Sequence, residues 1–373
     1  MYLTVDAMKR LYASLQDELS RQVFWARLQC DIEPSMTNVL RLDCLRGGLH
    51  PEDPITDWIK TFSSVSQNGG RLILYGTGTS GQKMAAYLQT DGIDFFGFVG
   101  RGAAAYPDGL LGKPVFSPDW LFRQGDDVYV VIAAASDNYK QIVQLLKEHS
   151  FPNERILPYY VSGPSLPKGS RQYFDFPELF PKGTAFIDGG SYDGADSVRF
   201  LEFARNQYSK IYVFEPDAAN FQRCKQYLES RSLGGLEFYQ AGLSDEDGVA
   251  RFVEKGTSGS FVSGSKLMAY DEKKITEIQT RKSDSVVGDQ TVGMIKMDIE
   301  GSEYQALHGA ERTIRRDQPL LALSVYHRTG DMLAIMQYCQ ELVPSYGFWL
   351  RQYSRLEDDT VLYAAVVPQK AVR

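Results

Sequence analysis

The chain of 373 residues is 43% hydrophobic and 23% charged, usage typical of folded globular proteins and unlike that of disordered or fibrous chains. Its 40 Lys and Arg against 47 Asp and Glu leave a formal charge of −7; this opposes sequence-independent attraction to a phosphate backbone, so no nucleic-acid partner is expected. Four scattered cysteines, Cys30, Cys44, Cys224 and Cys339, form no CxxC pair, which indicates neither a disulfide framework nor a cysteine zinc site.

At very roughly 100–200 residues per domain the length allows two or three domains. The N-terminal residues lack the uninterrupted apolar stretch of a signal peptide or membrane span, so a cytoplasmic protein without membrane insertion is expected. Met8, Leu11, Leu15 and Leu19 recur at three- and four-residue spacing, which predicts an amphipathic helix within a helical arm over residues 1–60. Gly47, Gly48, Pro51 and Pro54 then break the helical pattern.

A Rossmann-like domain is expected over 61–160. Leu72-Ile73-Leu74-Tyr75 reads as a strand, Gly76-Thr77-Gly78-Thr79-Ser80-Gly81 as a turn, and the residues from Gln82 as a helix; Phe95 to Val99 and Val128 to Ala133 read as further strands. Gly76, Gly78 and Gly81 have the GxGxxG spacing whose amides can hold phosphate at a helix N-terminus. The next strand ends Phe98-Val99-Gly100-Arg101, without the acid an NAD site uses on its ribose. Arg101 could instead meet a phosphate, so Gly76, Gly78, Gly81 and Arg101 make a candidate second nucleotide site. Residues 161–183, with four prolines and several aromatics including Tyr173, read as a linker packed on the domain C-terminal to it.

A second series of alternating strands and helices fills 184–373 and closes with an apolar pair, Phe348-Trp349-Leu350 and Val361 to Val366, read as an antiparallel hairpin. The fold class is therefore α/β with two nucleotide-binding-type domains behind a helical arm. In Phe186-Ile187-Asp188-Gly189-Gly190-Ser191-Tyr192-Asp193-Gly194 an acid ends a buried strand and glycines form the turn. Glycines allow close ligand approach, and ligands of open α/β sheets bind beyond the strands' carboxyl ends. Glu215, in Val213-Phe214-Glu215-Pro216-Asp217, ends the next strand where a carboxylate grips ribose hydroxyls. The turn lacks GxGxxG spacing, and Asp188 would repel a pyrophosphate; the amino group and sulfonium of S-adenosylmethionine suit it better.

These residues resemble the FkbM family of S-adenosylmethionine-dependent methyltransferases, through ordered motifs starting at Phe186, Val213, Ala241 (Ala-Gly-Leu-Ser-Asp), Ile295 (Ile-Lys-Met-Asp-Ile-Glu-Gly-Ser-Glu) and Ser324 (Ser-Val-Tyr-His). The resemblance covers about half the chain. It implies a class I methyltransferase fold, mostly parallel with an antiparallel terminal hairpin. It also implies a cofactor site of Asp188, Gly190, Ser191, Asp193, Gly194, Glu215, Pro216 and Asp298, with Ala241, Gly242 and Leu243 near the adenine and Ser244 or Asp245 available to its amino group.

Methyl transfer to a hydroxyl needs the acceptor aligned and its proton removed. Of the four histidines, His50, His149, His308 and His327, only His327 sits at an expected carboxyl strand end. It is the candidate general base, with Asp298 orienting it or touching the cofactor and Glu300 binding substrate. Ser302 and Gln305 have capping-box spacing, and Glu303 reads as an acid favouring the helix N-terminus. Asp298, Glu300 and His327 could also hold a divalent ion, though no metal is expected. The serine-rich residues 256–260 and 263–265 read as a surface loop or, alternatively, a lid. The expected function is O-methyl transfer to a glycan, nucleotide-sugar or secondary metabolite. The alternatives are a nicotinamide-dependent sugar-nucleotide enzyme and a non-catalytic nucleotide-binding or assembly protein.

Overall fold

The computed structural model describes residues 4–45, 58–134, 136–157, 171–231, 233–253, 261–262, 275–353 and 358–367. The breaker residues 47–54, His50, the linker portion 161–170 and the serine-rich residues 256–260 and 263–265 lie outside them. The chain divides into two compact units, one of Met1–Phe24, Gly169–Gln352 and Asp358–Arg373, the other of Trp25–Lys168 and Tyr353–Glu357.

Among the described residues the smaller unit holds five strands: β1 Arg71–Tyr75, β2 Gly97–Val99, β3 Val115–Phe116, β4 Val128–Ile132 and β5 Ile156–Leu157. They form one sheet in the order β3-β2-β1-β4-β5, and every pair is parallel. Leu72 to Tyr75 are all buried, the near-continuous apolar run of a strand covered on both faces. Between β1 and the helix Thr79–Thr90 lies the first glycine turn. Gly76 has φ +139°, and a Cβ there would stand 2.4 Å from the Ala133 carbonyl oxygen; one at Gly81 would stand 2.0 Å from that of Gly76. Backbone packing alone requires these two glycines.

The larger unit carries β6 Ala185–Gly189, β7 Lys210–Phe214, β8 Leu236–Tyr239, β9 Gly242–Leu243, β10 Gly248–Val253, β11 Phe261–Val262, β12 Ile275–Arg281, β13 Val292–Met297, β14 Leu320–Ser324, β15 Tyr346–Gln352 and β16 Thr360–Val366. Seven of these form a sheet ordered β15-β16-β14-β13-β6-β7-β8. Its pairs are parallel from β14 to β8, and β16 runs antiparallel to both β14 and β15, as the apolar pair at the chain's end predicts. A smaller sheet, β11-β10-β12-β9, was not expected. Its strands expose one face, with Val249 57% exposed while Ile278 is buried, so they lack the apolar runs that mark the central strands.

Residues 1–60 do not form one arm. The helix Val5–Ala13, capped by Thr4 Oγ1 accepting from Ala7 N, belongs to the larger unit. Gln16 N donates to the Phe348 carbonyl at 2.9 Å and Phe348 N to that of Ser14 at 3.0 Å. Leu350 N donates to Ser20 Oγ, and Arg351 pairs with Asp17 at 2.7 Å. Leu11 and Leu15 are both 1% exposed, but the expected helix through Leu19 is interrupted: it ends at Ala13, Leu15 forms a bridge with Phe348, and the next helix starts at Glu18. Among the described residues no helix is long and apolar enough to cross a membrane.

Candidate active site

The parallel strands β6, β7, β13 and β14 end on one edge, so their carboxyl termini bring together the second glycine turn, Glu215, Asp298 and His327. The turn reverses the chain through positive φ at Gly190 (+72°), Tyr192 (+50°) and Gly194 (+82°). Gly190 N and Ser191 N both donate to the Phe214 carbonyl. A Cβ at Gly190 would lie 1.9 Å from the Asp298 carbonyl oxygen, and one at Gly194 would meet Leu228 and Cys224. Ser191 is buried, its hydroxyl 3.4 Å from Cys224 Sγ. Asp193 is exposed and accepts from Ala195 N.

Tyr192 N donates to Glu215 Oε2 and Asp217 N to Oε1, each at 2.9 Å, which ties the acid ending β7 to the turn. Glu215 is 5% exposed, and burial pushes its carboxyl up to about 7 despite the two amide donors. A carboxylate offers about four lone-pair sites, so capacity remains for hydroxyl donors. Pro216 beside it is half-buried. Ala241, Gly242 and Leu243 are buried, and Leu243 Cδ1 lies 2.7 Å from where a Gly189 Cβ would stand, so this segment also reaches the turn. Ser244 donates to Asp245 at 3.1 Å.

The expectation that Asp188 meets the cationic end of a cofactor is corrected. Asp188 is fully buried; its Oδ1 accepts from Lys296 Nζ at 3.1 Å and its Oδ2 from Ser197 Oγ at 2.6 Å. Its cation is internal. Lys296, 1% exposed, also donates to the Gly190 carbonyl at 2.8 Å and lies 3.4 Å from Asp196. Burial works against its charge, but Asp188, Asp196 and Asp298 outweigh that and hold the ammonium above its ordinary range. Lys296 thus braces the glycine turn from behind.

Asp298 follows β13 and accepts from Tyr173 OH at 2.9 Å and Tyr326 OH at 3.3 Å. Burial raises its carboxyl, while His327 and Lys296 outweigh that and hold it below the usual range. His327 follows β14, its side chain 8% exposed, with Nε2 3.4 Å from Asp298 Oδ1 and 3.9 Å from Glu300 Oε2. Its Nδ1 is 3.0 Å from Glu303 Oε1, and Glu303 is fully buried. Burial favours the neutral ring, but Glu303, Asp298 and Glu300 prevail and push the imidazole up to about 10. The ring as folded is therefore a proton holder at neutral pH.

The capping box is also corrected: the Ser302 side chain makes no cap bond. Instead Glu303 Oε1 accepts from Ile299 N at 2.9 Å and turns inward to the histidine. Sequence reasoning missed Glu303, Lys296 and Tyr173 as site residues. Lys296 carried a signal, since a lysine amid the apolar run Met294-Ile295-Lys296-Met297 needs an acid partner. Among the described residues Asp298, Glu303 and His327 each offer a ligand atom within 4.8 Å of the others.

The remaining candidates have other partners. His149 stacks on Phe122 and His308 lies against Tyr338. At the first glycine turn Gly78 has open space around it, and Arg101 is exposed and donates to Gln141 at 3.3 Å.

Residues 188–348 match the family model described as the Methyltransferase FkbM domain, a span that holds the glycine turn, Glu215, Asp298 and His327. A similar curated protein is the 2-O-methyltransferase NoeI of Sinorhizobium fredii, 25% identical over 146 residues, or 35% of this chain; the match spans 58% of that relative's length. Among solved structures, a methyltransferase FkbM from Methylobacillus flagellatus is 19% identical, with 81% of this chain and 92% of that chain covered and a TM-score of 0.45. An rRNA methylase from Streptococcus thermophilus is 13% identical, with 52% and 92% covered and a TM-score of 0.34.

Proposed function

We propose that the larger unit binds S-adenosylmethionine and transfers its methyl group to a hydroxyl of a glycan, nucleotide-sugar or secondary metabolite. The observation that carries this reading is the shared strand edge: the turn at Gly190, Ser191, Asp193 and Gly194, the Glu215 carboxylate and the Asp298–His327 pair stand together, within the matched methyltransferase domain. The turn and its neighbour fit the cofactor, because Glu215 is positioned by the turn's own amide at Tyr192 and retains acceptor capacity for a ribose diol. Bound there, the cofactor supplies a methyl carbon already activated by its sulfonium.

In this reading Asp188 acts through Lys296, holding the turn rather than the ligand. Ala241, Gly242 and Leu243 line the adenine side. Asp298, Glu300 and His327 hold the acceptor hydroxyl, and alignment is their main contribution. The relative's name as a 2-O-methyltransferase favours oxygen as the atom methylated. We read the five-stranded unit as the Rossmann-like domain expected over 61–160; packing alone accounts for Gly76 and Gly81, which favours a scaffold over a nucleotide site there.

Calorimetry with S-adenosylmethionine, NAD and a UDP-sugar tests the proposal. Binding of S-adenosylmethionine that Glu215→Ala weakens, with His327→Ala retaining the cofactor but losing turnover on a hydroxyl acceptor, is the expected result. Tight NAD binding with none of S-adenosylmethionine, or near-normal turnover in His327→Ala, would sink it.

A further inference from the structure

We infer that His327, Asp298 and Glu300 form a divalent cation site, with Glu303 orienting the imidazole from behind. An imidazole gives an ion only one of its nitrogens. Nδ1 is ion-paired with the fully buried Glu303 at 3.0 Å, which leaves Nε2 for an external partner. The histidine side chain is more than nine-tenths buried, and neither ring nitrogen makes a hydrogen bond among the described residues, Nδ1 having the close Glu303 carboxylate and Nε2 the more distant pair. A buried polar atom without a partner is costly. Here Nε2 points at two partly exposed carboxylates, Asp298 at 3.4 Å and Glu300 at 3.9 Å, with side chains 28% and 27% exposed.

Those separations suit a shared ion. With donors about 2.1 Å from a metal, neighbouring ligands stand about 3 Å apart and opposite ones about 4.2 Å. A carboxylate that accepts from the far nitrogen of a ligating histidine sets its tautomer and ring direction; the depth of Glu303 gives it this task, whereas a surface acid at a helix start would need no burial. Tyr173 fixes Asp298 through its other oxygen at 2.9 Å, so both protein donors from β13 and β14 are held from outside the ion's shell. Two carboxylates and one imidazole favour an oxygen-seeking ion that also accepts nitrogen, of which Mn²⁺ is the natural probe. The site keeps open positions toward solvent. Resting on the methyl-transfer reading, the ion would bind the acceptor's hydroxyl and lower its pKa, the released proton passing to solvent.

The test is an electron paramagnetic resonance titration of Mn²⁺ into the chelator-stripped full chain, without S-adenosylmethionine. The expected result is loss of the free-ion signal at one ion per chain. Affinity should fall at least tenfold in His327→Ala and Asp298→Asn, and about 10–100-fold in Glu303→Gln. Circular dichroism confirms folding; if His327→Ala fails to fold, the near-isosteric Asp298→Asn and Glu300→Gln decide. An unchanged free-ion signal with the wild-type chain, or wild-type affinity in the folded variants, overturns the site. Calorimetry of the same samples with S-adenosylmethionine separates the two ideas: cofactor binding without Mn²⁺ overturns the ion alone, and Mn²⁺ binding without cofactor binding supports the ion while overturning the methyl-transfer reading.

Discussion

His327 and Glu303 form a buried pair, Nδ1 to Oε1 at 3.0 Å, in which the carboxylate is fully enclosed and also accepts from Ile299 N. The acid lies in the first turn of the helix Glu303–His308, so one side chain joins the strand-end loop, the helix start and the histidine. Glu303→Ala should cost about 3–5 kcal/mol, the usual penalty for removing one partner of a buried ion pair. Glu303→Gln should recover part of it by keeping the acceptor for Ile299 N. Urea denaturation checks both; equal stability of Glu303→Ala and wild type would show the pair to be incidental.

Lys296 and Asp188 are 1% and 0% exposed and 3.1 Å apart. Lys296→Met should destabilise the chain by about 3–5 kcal/mol, because it strands the Asp188 charge. Adding Asp188→Asn to Lys296→Met should restore part of the loss, since the uncompensated charge is then removed. A double-mutant cycle by chemical denaturation reads the coupling, and strictly additive losses would refute it.

Glu215 has a carboxyl raised by burial from 4.5 to about 7. The native state therefore holds this proton more tightly than the unfolded chain. Its contribution to stability is fully present below about pH 4.5 and is lost as pH rises through about 7, a span worth roughly 3 kcal/mol. Glu215→Gln should flatten that part of the pH dependence, as measured by urea unfolding at pH 5 and pH 8. Because hydroxyl donors favour the carboxylate, S-adenosylmethionine binding near pH 6.5 should release a proton. Calorimetry in buffers of different ionisation enthalpy detects it, and a binding heat independent of buffer would count against Glu215 as the ribose ligand.

The two glycine turns should respond differently to alanine. At Gly190 the φ of +72° and the Asp298 carbonyl 1.9 Å from a Cβ make Gly190→Ala costly, by at least about 2 kcal/mol, with cofactor affinity lost as the turn shifts. Gly78 has nothing within 4 Å of a Cβ and an ordinary extended backbone at the start of its helix, so Gly78→Ala should change stability by no more than about 1 kcal/mol. Thermal unfolding of both variants checks the contrast.

Much of this protein was written locally. Leu72 to Tyr75, Ala185 to Ile187 and Leu320 to Ser324 declare themselves as central strands because burial on both faces demands apolar runs, and turn glycines come directly after β1 and β6. Hence the α/β alternation, the terminal hairpin and the positions of Glu215, Asp298 and His327 at strand ends were legible without coordinates. The edge strands around Val249 and Ile278 were not, since a half-exposed strand resembles a polar loop in one dimension.

What the sequence by itself determined was where charged residues meet strand ends; what only the tertiary structure decided was which of them face each other. Asp188 looks like a ligand for an external cation until β13 brings Lys296 against it. Glu303 looks like a helix-start acid until β14 places His327 over it. The physical reason is that a carboxylate's role depends on the opposite charge within a few ångströms, and parallel strands set that neighbour across more than a hundred residues of chain in the first case and across a helix pair in the second.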